Sequence, residues 1–191
     1  DVVVVPCTTP NWRTLEVQDG AFQHSGGLCQ GMRIGTSQDG VMAEYYIVND
    51  VEMNTARIPD GVSLENALMV SDMMTTGFHG VELADVQFGD TVVVIGTGPV
   101  GLMAVVAAKL RGAGRIIAVG SRAKCRELAI HYGASNVVNY KDGDIFTQIM
   151  ELTNGKRVDR TVIAGGGTEQ LPIAYKLTRP GGGIGDLVAA D

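Results

Sequence analysis

With 191 residues and 45% apolar side chains, the chain is long enough to bury one large core or two smaller ones. A formal net charge of −6 leaves no broad basic surface, which argues against a nucleic-acid partner. The apolar runs at 92–95 and 102–108 fall well short of the ~20 residues that cross a bilayer, so no membrane partner is expected and a cytoplasmic location follows.

The three cysteines, Cys7, Cys29 and Cys125, are odd in number and far apart, with no CxxC pair. They form neither a disulfide framework nor a cysteine-built zinc lobe, and inert thiols are the plain reading. Residues 2–5, four valines, read as a strand without a partner before it, and 183–188 as a strand with nothing after it. Such ends would expose unpaired edges, so the sequence reads as the interior of a longer protein. Residues 6–40, rich in Thr, Pro, Gly, Gln and Ser, predict loops around short strands. Residues 41–48 have the β-branched and aromatic content of a strand. Ser63, with Glu65 and Asn66, marks a helix start, and Leu64, Ala67, Leu68 and Val70 fit one helix face.

After residue 90 strands and helices alternate. Residues 91–95 are a short, continuously apolar, β-branched run, the pattern of a strand buried on both faces of a parallel sheet. Strands are predicted at 115–119, 136–138, 158–164 and 183–188, with helices at 99–111, 123–132, 144–153 and 169–178 between them. Five strands with helical crossovers call for an α/β, Rossmann-type doubly wound sheet.

Gly96-Thr97-Gly98-Pro99-Val100-Gly101 is a GxGxxG that follows a strand and opens a helix, the context in which this otherwise weak motif binds a dinucleotide. Its glycines serve the tight turn, backbone approach to a pyrophosphate and close helix packing, while the helix N-terminus favours phosphate. Pro99 suits the first helical turn. An NAD site places a carboxylate at the end of the second strand to accept the ribose hydroxyls. This chain has Gly120-Ser121-Arg122 there. Arg122 and Ser121 can bind a 2′-phosphate that a carboxylate would repel, so the cofactor is read as NADP. Tyr140 could pack beside the same end. Surface placement remains the plain alternative for both Arg122 and Tyr140.

No complete catalytic set is visible: there is no HExxH, GxSxG or SxxxYxxxK, and His24, His79 and His131 are scattered. Asp72 lies in an apolar stretch, where an unpaired carboxylate is costly. A metal ion would neutralise it; capping a helix at Thr75 is the equally weighted alternative.

Residues 72–80, 96–104 and 112–122, with 11–14 and 23–27, resemble the zinc-dependent, NADP-linked secondary alcohol dehydrogenases of anaerobic bacteria and some protists, within the medium-chain dehydrogenase/reductase family. The resemblance implies part of a GroES-like, β-rich catalytic domain over 1–74 and an NADP-binding Rossmann domain, C-terminally incomplete, over 75–191. It implies a homotetramer and a small alcohol or ketone as substrate. It makes Asp72 one ligand of a catalytic zinc whose cysteine and histidine partners, like the proton-relay hydroxyl, lie outside this sequence. Thr76 and Val100 would lie near the nicotinamide, and Thr97, Pro99, Gly120, Ser121, Arg122 and Tyr140 along the rest of the cofactor. Pocket positions of the family fall on Cys7, Thr8 and Met32, the last where relatives carry an aromatic. Residues 187–191 lack the family's polar and aromatic contacts to the nicotinamide amide. A zinc-free quinone or enoyl reductase of the same superfamily and a non-catalytic NADP-binding module are the alternatives. A methyltransferase would carry an acidic residue where Gly120 stands.

Overall fold

A computed structural model describes residues 1–188. The chain divides into two compact units, Asp1–Asp72 and Met73–Asp191.

In the first unit, β1 (Val3–Val4) pairs antiparallel with β2 (Ala56–Arg57), so the opening strand finds its partner downstream rather than before it. Between them lie α1 (Leu15–Gln18), a 3-10 turn at Phe22–His24 and α2 (Val51–Asn54). The loops are organised around one buried amide. Asn54 donates to the carbonyls of Pro10 (3.0 Å) and Asn49 (2.9 Å) and accepts from the Trp12 indole N–H (2.8 Å), which satisfies a polar group that burial would otherwise penalise. Trp12 also packs on Phe22 at a ring separation of 5.4 Å.

The strand expected over 41–48 does not form, and Met42, Tyr45 and Ile47 are exposed. β-Branched and aromatic content favours a strand only where a neighbouring strand fills the ladder, and among the described residues none lies alongside. Regular strand in this unit is therefore confined, among the described residues, to β1 and β2. Its last helix, α3 (Leu64–Met69), starts as expected: the Ser63 hydroxyl accepts from the Asn66 N–H at 3.3 Å. A π-helical turn, Val70–Met74, follows and contains Asp72.

The second unit begins with α4 (Thr75–Leu83) and continues β3 (Thr91–Ile95), α5 (Pro99–Leu110), β4 (Arg115–Val119), α6 (Ala123–Tyr132), β5 (Asn136–Val138), α7 (Ile145–Leu152), β6 (Val158–Ile163), α8 (Gln170–Leu177) and β7 (Thr178–Asp186). The strands form one parallel sheet in the order β5-β4-β3-β6-β7. The last strand starts five residues before its expected position, because Thr178 already pairs with Val158. There the Thr178 hydroxyl, 2.8 Å from that of Thr161, also donates to the Ala174 carbonyl at the end of α8.

Alternation along the strands divides the core between the two faces. Val92, Val94, Ile116, Ala118 and Val162 pack with Ala104, Val105 and Ala108 of α5, Ala129 of α6 and Val81 of α4. Val93, Ile95, Ile117, Val119 and Ile163 pack with Ile149 of α7 and with Ala174 and Leu177 of α8. Every strand residue from Val92 to Ile95 is thus buried, and the sheet is doubly wound as its apolar runs require. At the opposite end from the glycine loop, Arg160 of β6 is fixed by Asp90 (2.8 Å) and the Ala84 carbonyl (3.2 Å).

Candidate dinucleotide site

The chain fills β3, β4 and β5 on one side, then crosses to β6 on the other. The carboxyl ends of β3 and β6 therefore part at a topological switch point, where open α/β sheets bind ligands. A cleft of about 730 Å³ opens there. Its floor is Ile95-Gly96-Thr97-Gly98, and its walls are Val119 to Arg122 at the end of β4, Tyr140 with Gly143, Asp144 and Ile145 at the start of α7, and the Ala164-Gly165-Gly166 turn after β6.

The glycine loop earns its composition from contacts. Gly96 has φ +106°, and a Cβ there would come within 2.9 Å of the Ala164 and Gly165 backbone, so the loops after β3 and β6 approach more closely than a side chain allows. A Cβ at Gly101 would collide with the Gly96 carbonyl oxygen, and one at Gly120 with the Thr97 hydroxyl. Gly120 thus admits the Thr97 side chain, which is 5% exposed. Pro99 is the first residue of α5, whose opening N–H groups lack partners within the helix and point a positive dipole end at the cleft.

The cationic corner is equally specific. The Arg122 guanidinium lies 3.8 Å from where a Gly98 Cβ would be, exposed, and among the described residues it makes no ion pair and no side-chain hydrogen bond. Next to it, the Ser121 hydroxyl donates to the Tyr140 hydroxyl at 2.8 Å. Arg122 is the sole cation among the described lining residues; the two lining carboxylates, Asp144 and Glu169, are both held below the ordinary carboxylate range. For Asp144 the main cause is the Thr147 backbone N–H it accepts as N-cap of α7, and for Glu169 it is the backbone N–H of Gly167. Both stay ionised at neutral pH, and an anionic ligand group is steered to the Arg122 end.

Of the residues expected from the sequence, Gly96, Thr97, Gly98, Gly120, Ser121, Arg122 and Tyr140 come together around this one cleft. Pro99, Val100 and Gly101 form the first turn of α5 rather than the lining. Thr76 is the second residue of α4; its neighbour Gly77 lies so close to α5 that a Cβ would come within 2.6 Å of the Val100 carbonyl and 2.8 Å of the Ala104 nitrogen. Asp72 belongs to the first unit. There Cys7 N–H donates to the Ser71 carbonyl (3.0 Å) and Thr9 N–H to the Gly31 carbonyl (2.9 Å), which brings Cys7, Thr8 and Met32 into one neighbourhood beside Asp72. The histidines stay apart: His24 accepts the Cys29 N–H, His79 faces Glu82 and His131 packs on Tyr132. The expected nicotinamide-end gap at 187–191 falls partly, at 189–191, outside the described residues.

Residues 99–185 match the family model for zinc-binding dehydrogenases. An NADP-dependent isopropanol dehydrogenase of Clostridium beijerinckii is 58% identical over 98% of the chain. Over residues 99–185 the chain thus groups with the zinc-binding dehydrogenases. It spans about half of that relative's length, 53%. Among solved structures of the fold, alcohol dehydrogenase TADH from Thermus sp. ATN1 superposes with a TM-score of 0.84 at 26% identity, covering 99% of this chain and 55% of its own. A structure from Sinorhizobium meliloti 1021 bound to NADP has a TM-score of 0.82 at 27% identity, covering 98% and 54%. In this family setting, sequence reading missed the far wall of the cleft, Gly143, Asp144, Ile145, Glu169 and Gln170. The N-cap pattern Asp144 with Thr147 was the one available signal for it.

Proposed function

We propose that the chain carries the NADP-binding domain, with a part of the catalytic domain in residues 1–74, of an alcohol dehydrogenase that interconverts small secondary alcohols and ketones. The single observation behind the cofactor is Arg122, a guanidinium beside Gly98 that among the described residues makes no ion pair or side-chain hydrogen bond, just past the strand end where an NAD site has a carboxylate. The glycine loop and the start of α5 would hold the pyrophosphate; Ser121, Arg122 and Tyr140 would hold the 2′-phosphate; Thr76 and Val100 would border the nicotinamide. NADP, when bound, supplies the hydride acceptor or donor. The chain's own residues bind and orient it, and Gly96, Gly101 and Gly120 let the surrounding backbone and Thr97 pack closely enough to shape the cleft.

Zinc stands differently. Among the described residues no group of three His, Cys, Asp or Glu side chains could hold a metal ion, so this chain does not offer a complete zinc site. Asp72 is proposed as one ligand, with the others supplied outside this sequence. Its place in a π-helical turn supports the reading, since such turns concentrate at functional sites. A homotetramer in the cytoplasm is proposed on the family resemblance. Among the described residues no helix is long and apolar enough to cross a membrane.

Calorimetric titration with NADP⁺ and NAD⁺ tests the cofactor. NADP⁺ should bind more tightly, and Arg122→Ala should weaken it about 10- to 100-fold, corresponding to the roughly 1.5–3 kcal/mol of hydrogen bonds to a charged group, with little change for NAD⁺. Equal affinity for the two cofactors in the unsubstituted protein would overturn the reading.

A further inference from the structure

The wall that carries Tyr140 is a six-residue loop, 139–144, between β5 and α7, and among the described residues one side chain from outside the loop, Gln148, holds its main-chain carbonyls. Gln148, half-buried on the first turns of α7, donates its amide N–H groups to the Asn139 carbonyl (3.1 Å) and the Gly143 carbonyl (3.0 Å). These carbonyls lie at the two ends of the segment that contains Tyr140, so one amide closes the loop. Inside it, Asn139 accepts the Lys141 N–H (3.1 Å) and donates to Asp142 (2.7 Å), while the Asp142 N–H returns to the Asn139 carbonyl (3.0 Å). The loop is thereby cross-braced by its own side chains, and Gln148 ties both its ends to α7 while the Asp144 cap on the Thr147 N–H ties its last residue. At its tip the Tyr140 hydroxyl receives the Ser121 hydroxyl, next to Arg122.

We propose that Gln148 is a positioning residue for NADP selectivity: its two donations hold the Tyr140 loop so that Tyr140, Ser121 and Arg122 form one 2′-phosphate corner. This rests on the NADP reading above. Gln148 is not part of the cleft lining and touches no bound group; it acts through Tyr140.

The test is a titration with NADP⁺ and NAD⁺ of the intact protein, Gln148→Met, Tyr140→Phe and the double variant. Gln148→Met keeps the length of the side chain and removes both donations. It should weaken NADP⁺ binding about five- to tenfold, in line with one or two lost neutral hydrogen bonds, and leave NAD⁺ within about twofold. In the Tyr140→Phe background the same change should cost NADP⁺ less than about twofold more, because both act on one corner. Gln148→Glu, which can accept but not donate, gives the same reading where Gln148→Met does not fold. Equal loss for both cofactors, or full additivity with Tyr140→Phe, overturns the proposal. An unsubstituted protein that favours NADP⁺ with Gln148→Met unchanged overturns this inference alone; one that does not favour NADP⁺ overturns the cofactor reading and this inference with it.

Discussion

Gly120 illustrates how one missing side chain does two jobs. On the proposed NADP reading it leaves no carboxylate to repel a 2′-phosphate, and it makes room for Thr97, whose hydroxyl occupies the space a Cβ would need. The second job is steric and therefore testable without cofactor. Gly120→Ala should cost about 1–3 kcal/mol of folding stability, the usual range for overpacking, and weaken NADP⁺ binding as Thr97 is pushed into the cleft. Adding Thr97→Ala, which removes both the hydroxyl and the methyl facing position 120, should recover part of the loss. Denaturant unfolding of the four proteins measures this, and strictly additive losses would contradict the proposed collision. Gly96 and Gly101 were legible in the sequence because neighbouring backbone leaves no room for a Cβ at either. Gln148 was not legible, since its role depends on two carbonyls that only the folded loop brings within reach.

At the scale of elements, legibility followed the source of each element's stability. The strands at 91–95 and 115–119 formed where the apolar runs indicated, because a strand buried on both faces must be apolar along its buried length, and the edge strand at 136–138 formed beside them. Residues 41–48 are also rich in β-branched and aromatic side chains but, among the described residues, have no strand beside them, and composition cannot supply a ladder partner. The start of β7 was missed for the opposite reason: Thr178 reads as the end of the preceding helix and the strand as starting at 183, yet Thr178 pairs with Val158. The glycine loop's position depends on β3 and β4 holding register, since the Gly96 N–H donates to the Val119 carbonyl at 2.9 Å. Ile117, fully buried in the middle of β4, is central to that register. Ile117→Ala should destabilise the protein by about 2–5 kcal/mol, combining lost burial with a cavity. A loss below about 1 kcal/mol in urea unfolding would mean that the sheet relaxes around the gap more than close packing permits.

At the scale of the whole molecule, one acid-sensitive joint lies at the end of the sheet away from the cleft, in addition to Asp144 and Glu169 at the cleft itself. Asp159 of β6 accepts the Thr91 N–H at the start of β3 (2.8 Å) and the Arg179 guanidinium of β7 (2.6 Å), so a single carboxylate joins three strands. Burial acts to raise its pKa, but the Arg179 hydrogen bond, the Thr91 N–H and the charges of Arg179 and Arg160 together outweigh burial and hold it below its ordinary value. The sign follows from proton linkage. A carboxyl whose folded pKa is depressed binds protons more readily when unfolded, so its stabilisation is complete above the unfolded value of about 3.9 and is lost as pH falls through the lower folded value. Asp159→Asn keeps one acceptor and loses the charge. The stability gap between the two proteins should therefore stay constant between about pH 7 and pH 5 and close below about pH 4, with the carboxylates they share cancelling. Urea unfolding at pH 7, 5, 4 and 3 reads the gap directly. If it widened as pH fell, the charge on Asp159 would oppose folding, and the Arg179 and Thr91 contacts could not be what joins the three strands.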